Sequence, residues 1–263
     1  MFEKAIVFYR KYFKSGPWGW KGDFDNWQTA MDQCEGYNTA TILEKVKNAV
    51  LKVKNGEAVY ERDSVLFDSI EYSWPLLAAI LWVAAKNEGK LNVIDFGGSL
   101  GSSYFQNKKF LHQLNAVQWN VIEQGNFVTT GRACIQENGL HFYYDMEECI
   151  TAQGRPNILI ISCTLQYVEM PYQLIKQMLA FNIPYLLIDN MPFNDESRDR
   201  ITIQKVPPAI YNASYPCWFL DYHKVLTAFS EKYSVVSEHR NDSSIELDGR
   251  TIQYQGFLLE LKK

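Results

Sequence analysis

Short apolar runs alternate with longer segments of helical spacing after residue 89. The runs are apolar at successive positions, which suits strands of a sheet that is covered on both faces. Strand and helix in this alternating order predict the α/β class: an open, mostly parallel sheet with helices on both faces. The predicted strands occupy residues 91–96, 119–122, 140–144, 157–161 and 185–188, and two more, at 233–236 and 254–261, are expected to include an antiparallel strand.

The first 90 residues lack this alternation. Apolar residues at helical spacing predict a helix over residues 37–54, which Thr39 can cap, and Pro75 in a first turn predicts another that ends near Asn87. An amphipathic pattern over residues 2–13 predicts a third helix, which we expect to pack on the domain rather than on a membrane. We therefore predict a helical cap over residues 1–90 and one α/β domain over residues 91–263.

Polar residues stand where the predicted strands end. In open α/β sheets, ligands bind at the carboxyl ends of the strands, where the strand order reverses. The sequence therefore predicts a ligand site built from these ends. They carry Asp95, Glu123, Asp145, Ser162 and Asp189.

Charge and composition narrow the function classes. The 263 residues carry a net charge of −4, so the chain lacks the positive field of a nucleic-acid-binding protein. The sequence has no run of 18 apolar residues, so no membrane span is predicted. The five cysteines are widely spaced, the four histidines are scattered, and no signal peptide pattern opens the chain. We therefore expect a reduced, cytoplasmic protein without a metal cluster.

The glycine loop at residues 93–103, with the sequence VIDFGGSLGSS, is the strongest local motif. It lacks the Lys-Ser/Thr of a phosphate-binding P-loop and the glycine spacing of a dinucleotide fingerprint. Asp95 precedes the first glycine by two residues, and a carboxylate there opposes a pyrophosphate but suits a ligand that carries an amine. Glycines in such a loop let the backbone approach the ligand closely.

The loop resembles motif I of class I S-adenosylmethionine (SAM)-dependent methyltransferases, D/E-x-G-x-G-x-G, with Ser99 in place of the middle glycine. The chain more closely resembles a subgroup of methyltransferases found with bacterial surface-polysaccharide genes. The similar segments lie at 56–67, 95–107, 119–124, 162–167 and 198–216. The resemblance implies a Rossmann-like methyltransferase fold, SAM as cofactor, and O-methylation of a sugar or polysaccharide precursor.

The resemblance also implies roles for single residues around the cofactor. The loop backbone would contact the methionine part of SAM, through Gly97, Gly98, Ser99 and Gly101. Asp95 would lie near its amino group, and Glu123 would accept both ribose hydroxyls. Ser162 would border the transferable methyl group.

Four further residues complete the predicted cofactor site. Gln124 would flank the adenine, Asp145 would accept from its amino group, and Met146 would cover the ring. Arg62 would pair with the methionine carboxylate, because a guanidinium matches a carboxylate in a bidentate way.

Residues for the methyl-accepting side are predicted on weaker grounds. An alcohol needs a general base at neutral pH, and His223 has a suitable ordinary pKa. Tyr167 and Tyr215 complete the predicted catalytic set, with Asp189 and Tyr211 as further candidates. The loop expected after the fifth strand would bind an anionic or sugar substrate through Arg198, Arg200 and Gln204, and aromatic residues at 18–27 and 211–219 would line the pocket.

Two other functions remain open from the sequence. An NAD(P)-dependent oxidoreductase shares this kind of sheet, and Glu123 also suits its ribose-binding acid. A non-catalytic assembly protein with a methyltransferase-like fold would explain Ser99 at a glycine position and the lack of a clear base.

Overall fold

The computed structural model describes residues 17–37, 39–194 and 196–263. The amphipathic helix predicted near the amino terminus lies outside them. The strands are β1 (Gly19–Phe24), β2 (Gly36–Tyr37), β3 (Tyr60–Arg62), β4 (Val65–Phe67), β5 (Lys90–Phe96), β6 (Ala116–Ile122), β7 (Leu140–Tyr143), β8 (Ile158–Ser162), β9 (Tyr185–Met191), β10 (Arg200–Val206), β11 (Ala213–Phe219), β12 (Tyr233–Leu247) and β13 (Arg250–Leu261).

The helices are α1 (Trp27–Met31), α2 (Thr39–Lys54), α3 (Trp74–Lys86), α4 (Ser102–Leu111), α5 (Gly125–Thr130), α6 (Met146–Gln153), α7 (Pro171–Leu179) and α8 (Tyr222–Ser230). A π-helical turn, Gly131–Ile135, continues α5, and a 3₁₀ turn, Leu165–Tyr167, follows β8. Pro75 lies in the first turn of α3, where its missing N–H costs no hydrogen bond. The helix predicted for residues 37–54 is confirmed from Thr39 onward, since Tyr37 belongs to β2, and the helix predicted from Pro75 onward is also confirmed.

The main sheet has seven strands in the order β7-β6-β5-β8-β9-β13-β12. β5 to β9 are parallel, and β13 runs antiparallel to both β9 and β12. This arrangement confirms the predicted fold class, a mostly parallel Rossmann-like sheet. The order reverses at β5, which lies between β6 and β8, so the carboxyl end of β5 is the switch point where a ligand is expected.

Both faces of the main sheet are covered. Alternate strand residues turn to opposite faces, so Val93 joins one core and its neighbour Ile94 joins the other. α3 packs on the first face through Leu76 and Ile80, and α8 packs on the second through Phe229. Burial on both sides explains why the strands are apolar throughout.

A second, antiparallel sheet has the order β1-β10-β11-β2. The prediction of a loop after the fifth strand is wrong, because residues 200–206 and 213–219 form paired strands there. The long β12–β13 hairpin joins the two sheets: Ile245 and Leu247 pack with Trp20 and Phe219.

The residues before 90 contribute strands to the second sheet as well as helices. The boundary at residue 90 stays a prediction. Two tryptophans of this segment contact aromatic residues of β11: Trp20 meets Phe219 edge-on at 6.5 Å between ring centroids, and Trp27 stacks on Trp218 at 6.1 Å.

Candidate functional site

The glycine loop joins β5 to α4 at the switch point. Gly97 has a φ of +73° and Gly101 a φ of +85°, values that L side chains rarely adopt. A Cβ at Gly97 would overlap the Thr164 side chain, and one at Gly98 would lie 2.5 Å from the carboxyl carbon of Asp95. The loop therefore passes between two other side chains at a distance that only glycine permits.

Ser99 holds a φ of +55°, in the left-handed region that favours glycine. The backbone there is strained for a residue with a Cβ. Its N–H donates to Oε1 of Glu123 at 3.3 Å, which ties the loop to the end of β6. The serine thus keeps the turn that the motif's middle glycine would make.

Glu123 follows β6 and is partly exposed. Its Oε2 accepts from the N–H of Gln124 at 2.7 Å. Burial raises the pKa of this carboxyl, and the two backbone N–H groups only partly oppose that shift. Gln124 itself is exposed at the start of α5, so both lie at the open rim of the loop.

Asp95 is buried beneath Gly98, with 2% of its surface exposed. The indole Nε1 of Trp119 donates to its Oδ2 at 3.0 Å. Burial, which the charge of Glu123 reinforces, raises the pKa of Asp95 to about 7. In the described part of the chain neither carboxyl forms an ion pair, so this corner is acidic and lacks a compensating charge.

Asp145 and Met146 begin α6 at the end of β7. The Asp145 side chain caps that helix, since Oδ1 accepts from the N–H of Glu148 at 2.7 Å. Met146 is buried. Their predicted contacts with adenine stay predictions, but the capping role explains part of why an acid stands at Asp145.

The β3–β4 hairpin, residues 60–67, lies beside the amino-terminal end of α4. The hydroxyl of Ser102 donates to Oε1 of the buried Glu61. Burial raises the pKa of Glu61 to about 7. Asp63 and Ser64 at the hairpin tip both have positive φ, as a tight two-residue hairpin turn requires.

Arg62 is placed near the end of β8 by this hairpin. Its positive charge lowers the pKa of Cys163 and of Tyr254, while burial, the larger effect, raises both. The predicted cofactor-binding arginine therefore lies within electrostatic reach of the β8 end. The sequence did not predict Glu61 or Tyr254 as part of this region.

Tyr167 and Tyr215, two of the predicted catalytic residues, lie together. Their rings meet edge-on at 5.3 Å between centroids, and the Tyr167 hydroxyl donates to Oε1 of Gln204 at 2.8 Å. Burial raises the pKa of both hydroxyls well above 10. With Tyr254, which packs with Tyr167 on the β12–β13 hairpin, they form a cluster that we call the tyrosine cluster.

His223 does not join this cluster. It is exposed in the first turn of α8 and borders a cavity of about 480 Å³ with Phe193 and Tyr222. α8 packs on the face opposite to α3, and His239 of β12 lines the same cavity as His223.

The predicted substrate arginines are engaged elsewhere. Arg200 is buried and donates to the carbonyl of Gly22 at 2.6 and 2.9 Å, and it pairs with Asp248 at 2.6 Å. Arg198 pairs with Asp23 at 2.6 Å. Both arginines therefore hold β1 against the segments beside it.

Asp189, at the end of β9, lies in a second polar cluster. Its side chain is fully buried, and its Oδ1 is 2.9 Å from Nε2 of His239. Its Oδ2 accepts from Ser73 and Asn190, both at 3.1 Å, and from Ser162 at 3.4 Å. The predicted Ser162 thus connects the end of β8 to this cluster.

His239 reaches Asp189 across β13. A Cβ at Gly256 would lie 2.5 Å from Nε2 of His239 and would overlap the carbonyl oxygen of Ile188. Glycine at this position therefore makes the room for the imidazole. Sequence patterns missed His239 because it is a lone histidine in a strand, and only the pairing of β12 with β13 brings it near residue 189.

Within the described residues, no group of three or more His, Cys, Asp or Glu side chains could hold a metal ion. No helix in that same part of the chain is long and apolar enough to cross a membrane.

No protein-family model and no curated protein matches the sequence. Similar solved structures include a SAM-dependent methyltransferase from Methanosarcina mazei, 10% identical, which covers 67% of this chain and 96% of that one with a TM-score of 0.46. The N-methyltransferase NodS from Bradyrhizobium japonicum, in complex with S-adenosyl-L-homocysteine (SAH), is 10% identical over 83% of this chain and 100% of that one, with a TM-score of 0.47.

Magnesium protoporphyrin IX methyltransferase (ChlM) from Synechocystis, also with bound SAH, is 14% identical over 99% of this chain and 100% of that one, with a TM-score of 0.45. Because these identities and TM-scores are low, the case for a function rests on the residues of this chain.

Proposed function

We propose that the protein is a SAM-dependent methyltransferase that binds its cofactor at the glycine loop. The observation that carries the proposal is the acidic corner at the switch point. Gly97 and Gly98 let the loop pass close to Thr164 and Asp95, and Glu123 stands at the end of the neighbouring strand. This corner suits a ligand that offers amine and hydroxyl donors.

The residues present fit SAM. The two carboxylate oxygens of Glu123 match the two vicinal hydroxyls of a ribose. Arg62, whose charge acts on Cys163 just after β8, would pair with the methionine carboxylate. When bound, SAM supplies a methyl group on a positively charged sulfur. The protein's part is to orient it and to exclude water.

The same corner disfavours a dinucleotide such as NAD. A dinucleotide places its pyrophosphate at the amino-terminal end of the helix after the glycine loop. Here the carboxyl of Glu61 already contacts Ser102 at the start of α4, and Asp95 lies beneath the loop. A pyrophosphate at this loop would meet two acids.

The acceptor we propose is a hydroxyl of a sugar or polysaccharide precursor. The tyrosine cluster, Tyr167, Tyr215 and Tyr254, offers aromatic faces together with hydroxyl groups. Because their pKa values are raised well above 10, these hydroxyls stay protonated at neutral pH. They do not serve as bases, and the partly exposed rings are the part of the cluster that would pack on a sugar.

Calorimetric titration of the purified chain with SAM, SAH and NAD tests the cofactor. SAM and SAH binding in the micromolar range, with no heat from NAD, is the expected result. Binding of NAD alone would replace the proposal with an oxidoreductase.

Transfer of a labelled methyl group from SAM to a panel of nucleotide sugars and oligosaccharides tests the reaction. We expect label in at least one hydroxyl-bearing acceptor. SAM binding without transfer to sugars, nucleotides, amines or phenols would favour the non-catalytic assembly protein.

A further inference from the structure

More hydrogen-bond donors surround the buried carboxyl of Asp189 than packing alone requires. The fully buried carboxyl accepts hydrogen bonds on both oxygens, including one from Nδ2 of Asn241 to Oδ1 at 3.3 Å. An ionised carboxylate only accepts, so this many donors suits the charged form. A buried charge needs such donors to offset the loss of water.

The cluster fixes the imidazole of His239 in one orientation. The Gly256 gap lets the ring cross β13, and Oδ1 of Asp189 then faces Nε2. Because the carboxylate accepts, Nε2 carries the proton in the neutral ring. Nδ1 is left with its lone pair, and in the described part of the chain no hydrogen bond to it is formed.

The imidazole lies at the same carboxyl edge of the sheet as the glycine loop, and His239 borders the cavity that His223 also borders. It lies over β13 and β9, one strand from the end of β8, and strands are about 4.8 Å apart. The contacts run without a break from Gly97 to Thr164, then from Ser162 to Asp189 and on to the imidazole. His239 keeps 13% of its side chain exposed, so a small substrate group can reach it.

We propose that His239 accepts the proton of the substrate hydroxyl at Nδ1, and that Asp189 is the residue that positions it. The inference rests on the proposed function. As the substrate oxygen bonds to the transferred carbon, the carbon–sulfur bond breaks and its electron pair stays on sulfur. The hydroxyl proton passes to Nδ1, and the imidazolium that forms is stabilised by the carboxylate of Asp189.

Nitrogen-15 NMR of histidine-labelled protein tests the orientation without any substrate. We expect the neutral His239 ring to carry its proton on Nε2, and this preference to be lost in Asp189→Asn. A proton on Nδ1 in the unaltered protein would overturn the proposal, because that nitrogen could not accept another.

Kinetics test the proton transfer. His239→Ala should slow methyl transfer about 100-fold, keep the affinity for SAM within twofold, and regain activity when imidazole is added. His112→Gln, at the exposed carboxyl-terminal end of α4, is the control and should change neither quantity. A purely structural role for His239 would show no rescue by imidazole.

The two proposals fail in different ways. Absence of SAM binding in the unaltered chain contradicts the proposed function. Normal turnover by His239→Ala, with SAM still bound, contradicts only the role of His239. If no acceptor in the panel is methylated, the position of the ring proton tests the role of His239, and a proton on Nδ1 contradicts it.

Discussion

The carboxyl edge of the main sheet carries two acidic clusters that are built in different ways. At β5 and β6, Asp95 and Glu123 have raised pKa values and, within the described residues, form no ion pair. At β9, Asp189 is fully buried, yet side-chain donors surround it. The first cluster has only three neutral donors, the Trp119 indole and two backbone N–H groups, so a ligand can add more, whereas the second is saturated by its own side chains.

The difference separates two tasks at one edge. A carboxyl that is short of donors gains hydrogen bonds when a ligand with amine and hydroxyl groups arrives. A carboxyl that is already saturated holds its neighbours still and offers little to a ligand. We therefore place cofactor binding at β5 and β6, and the orientation of a proton acceptor at β9.

Both clusters depend on a glycine, and removing it should have the largest effect. Gly97→Ala and Gly256→Ala each force a Cβ onto neighbouring atoms, and we expect each to lower the free energy of unfolding by about 2–4 kcal/mol. Chemical denaturation measures this loss.

Gly56→Ala is the matched control for Gly97→Ala. Gly56 has a φ of +77°, close to that of Gly97, but no atom lies within 4 Å of its Cβ position. It should cost only about 1 kcal/mol, from backbone strain alone. Equal losses in Gly97→Ala and Gly56→Ala would show that the crowding at the loop is unimportant.

Asp95→Asn should change how stability depends on pH. The folded-state pKa of about 7 lies above the unfolded value of about 3.9, so the folded chain binds the proton more tightly. The contribution of Asp95 to stability is therefore full below about pH 4 and is lost as the pH rises through about 7.

The variant removes that loss, and we expect it to be more stable than the parent by about 2–4 kcal/mol at pH 8 and nearly equal at pH 4. Denaturation curves at the two pH values measure the difference. Parallel curves for parent and variant would mean that Asp95 is not held in a buried, uncompensated site.

Glu123→Gln should weaken SAM binding about 10-fold, because an amide offers one acceptor oxygen where the carboxylate offers two. Because burial raises the pKa of Glu123, the affinity of the parent should fall as the pH is lowered through that raised value. Glu231→Gln, an exposed acid at the end of α8, is the control and should leave binding unchanged. Equal weakening in both variants would point to general charge and not to the site.

Ser99→Gly should have the smallest effect. It relieves left-handed strain but frees the unfolded chain, so a net gain of about 0.5 kcal/mol is expected. Affinity for SAM should stay the same or rise slightly. A loss of affinity would show that the serine side chain contributes to binding.

The two clusters also differ in how far the sequence could predict them. The glycine loop, Asp95 and Glu123 lie within 30 residues of one another, and their strand, turn and helix signals are local. His239 and Asp189 are 50 residues apart in the chain and meet only through the pairing of β12, β13 and β9. No local pattern records that pairing.

The second sheet shows the same limit of local patterns. The sequence over residues 198–219 predicts a polar and aromatic loop in which Arg198 and Arg200 bind a substrate. Instead their partners, Asp23 and the Gly22 carbonyl, stand about 175 positions earlier in the chain. Strand pairing between such distant residues leaves only weak signals in the local sequence. The segment that was predicted to be a substrate-binding loop is therefore part of the second sheet.

Amide hydrogen exchange with and without SAH tests the central claim most directly. If the cofactor lies at the acidic corner of β5 and β6, saturating SAH should slow exchange in peptides that cover residues 97–103 and 123–126. Peptides that cover the second sheet, residues 200–206, should exchange at the same rate in both samples. Unchanged exchange at 97–103 under saturating SAH, or protection confined to the second sheet, would contradict the account.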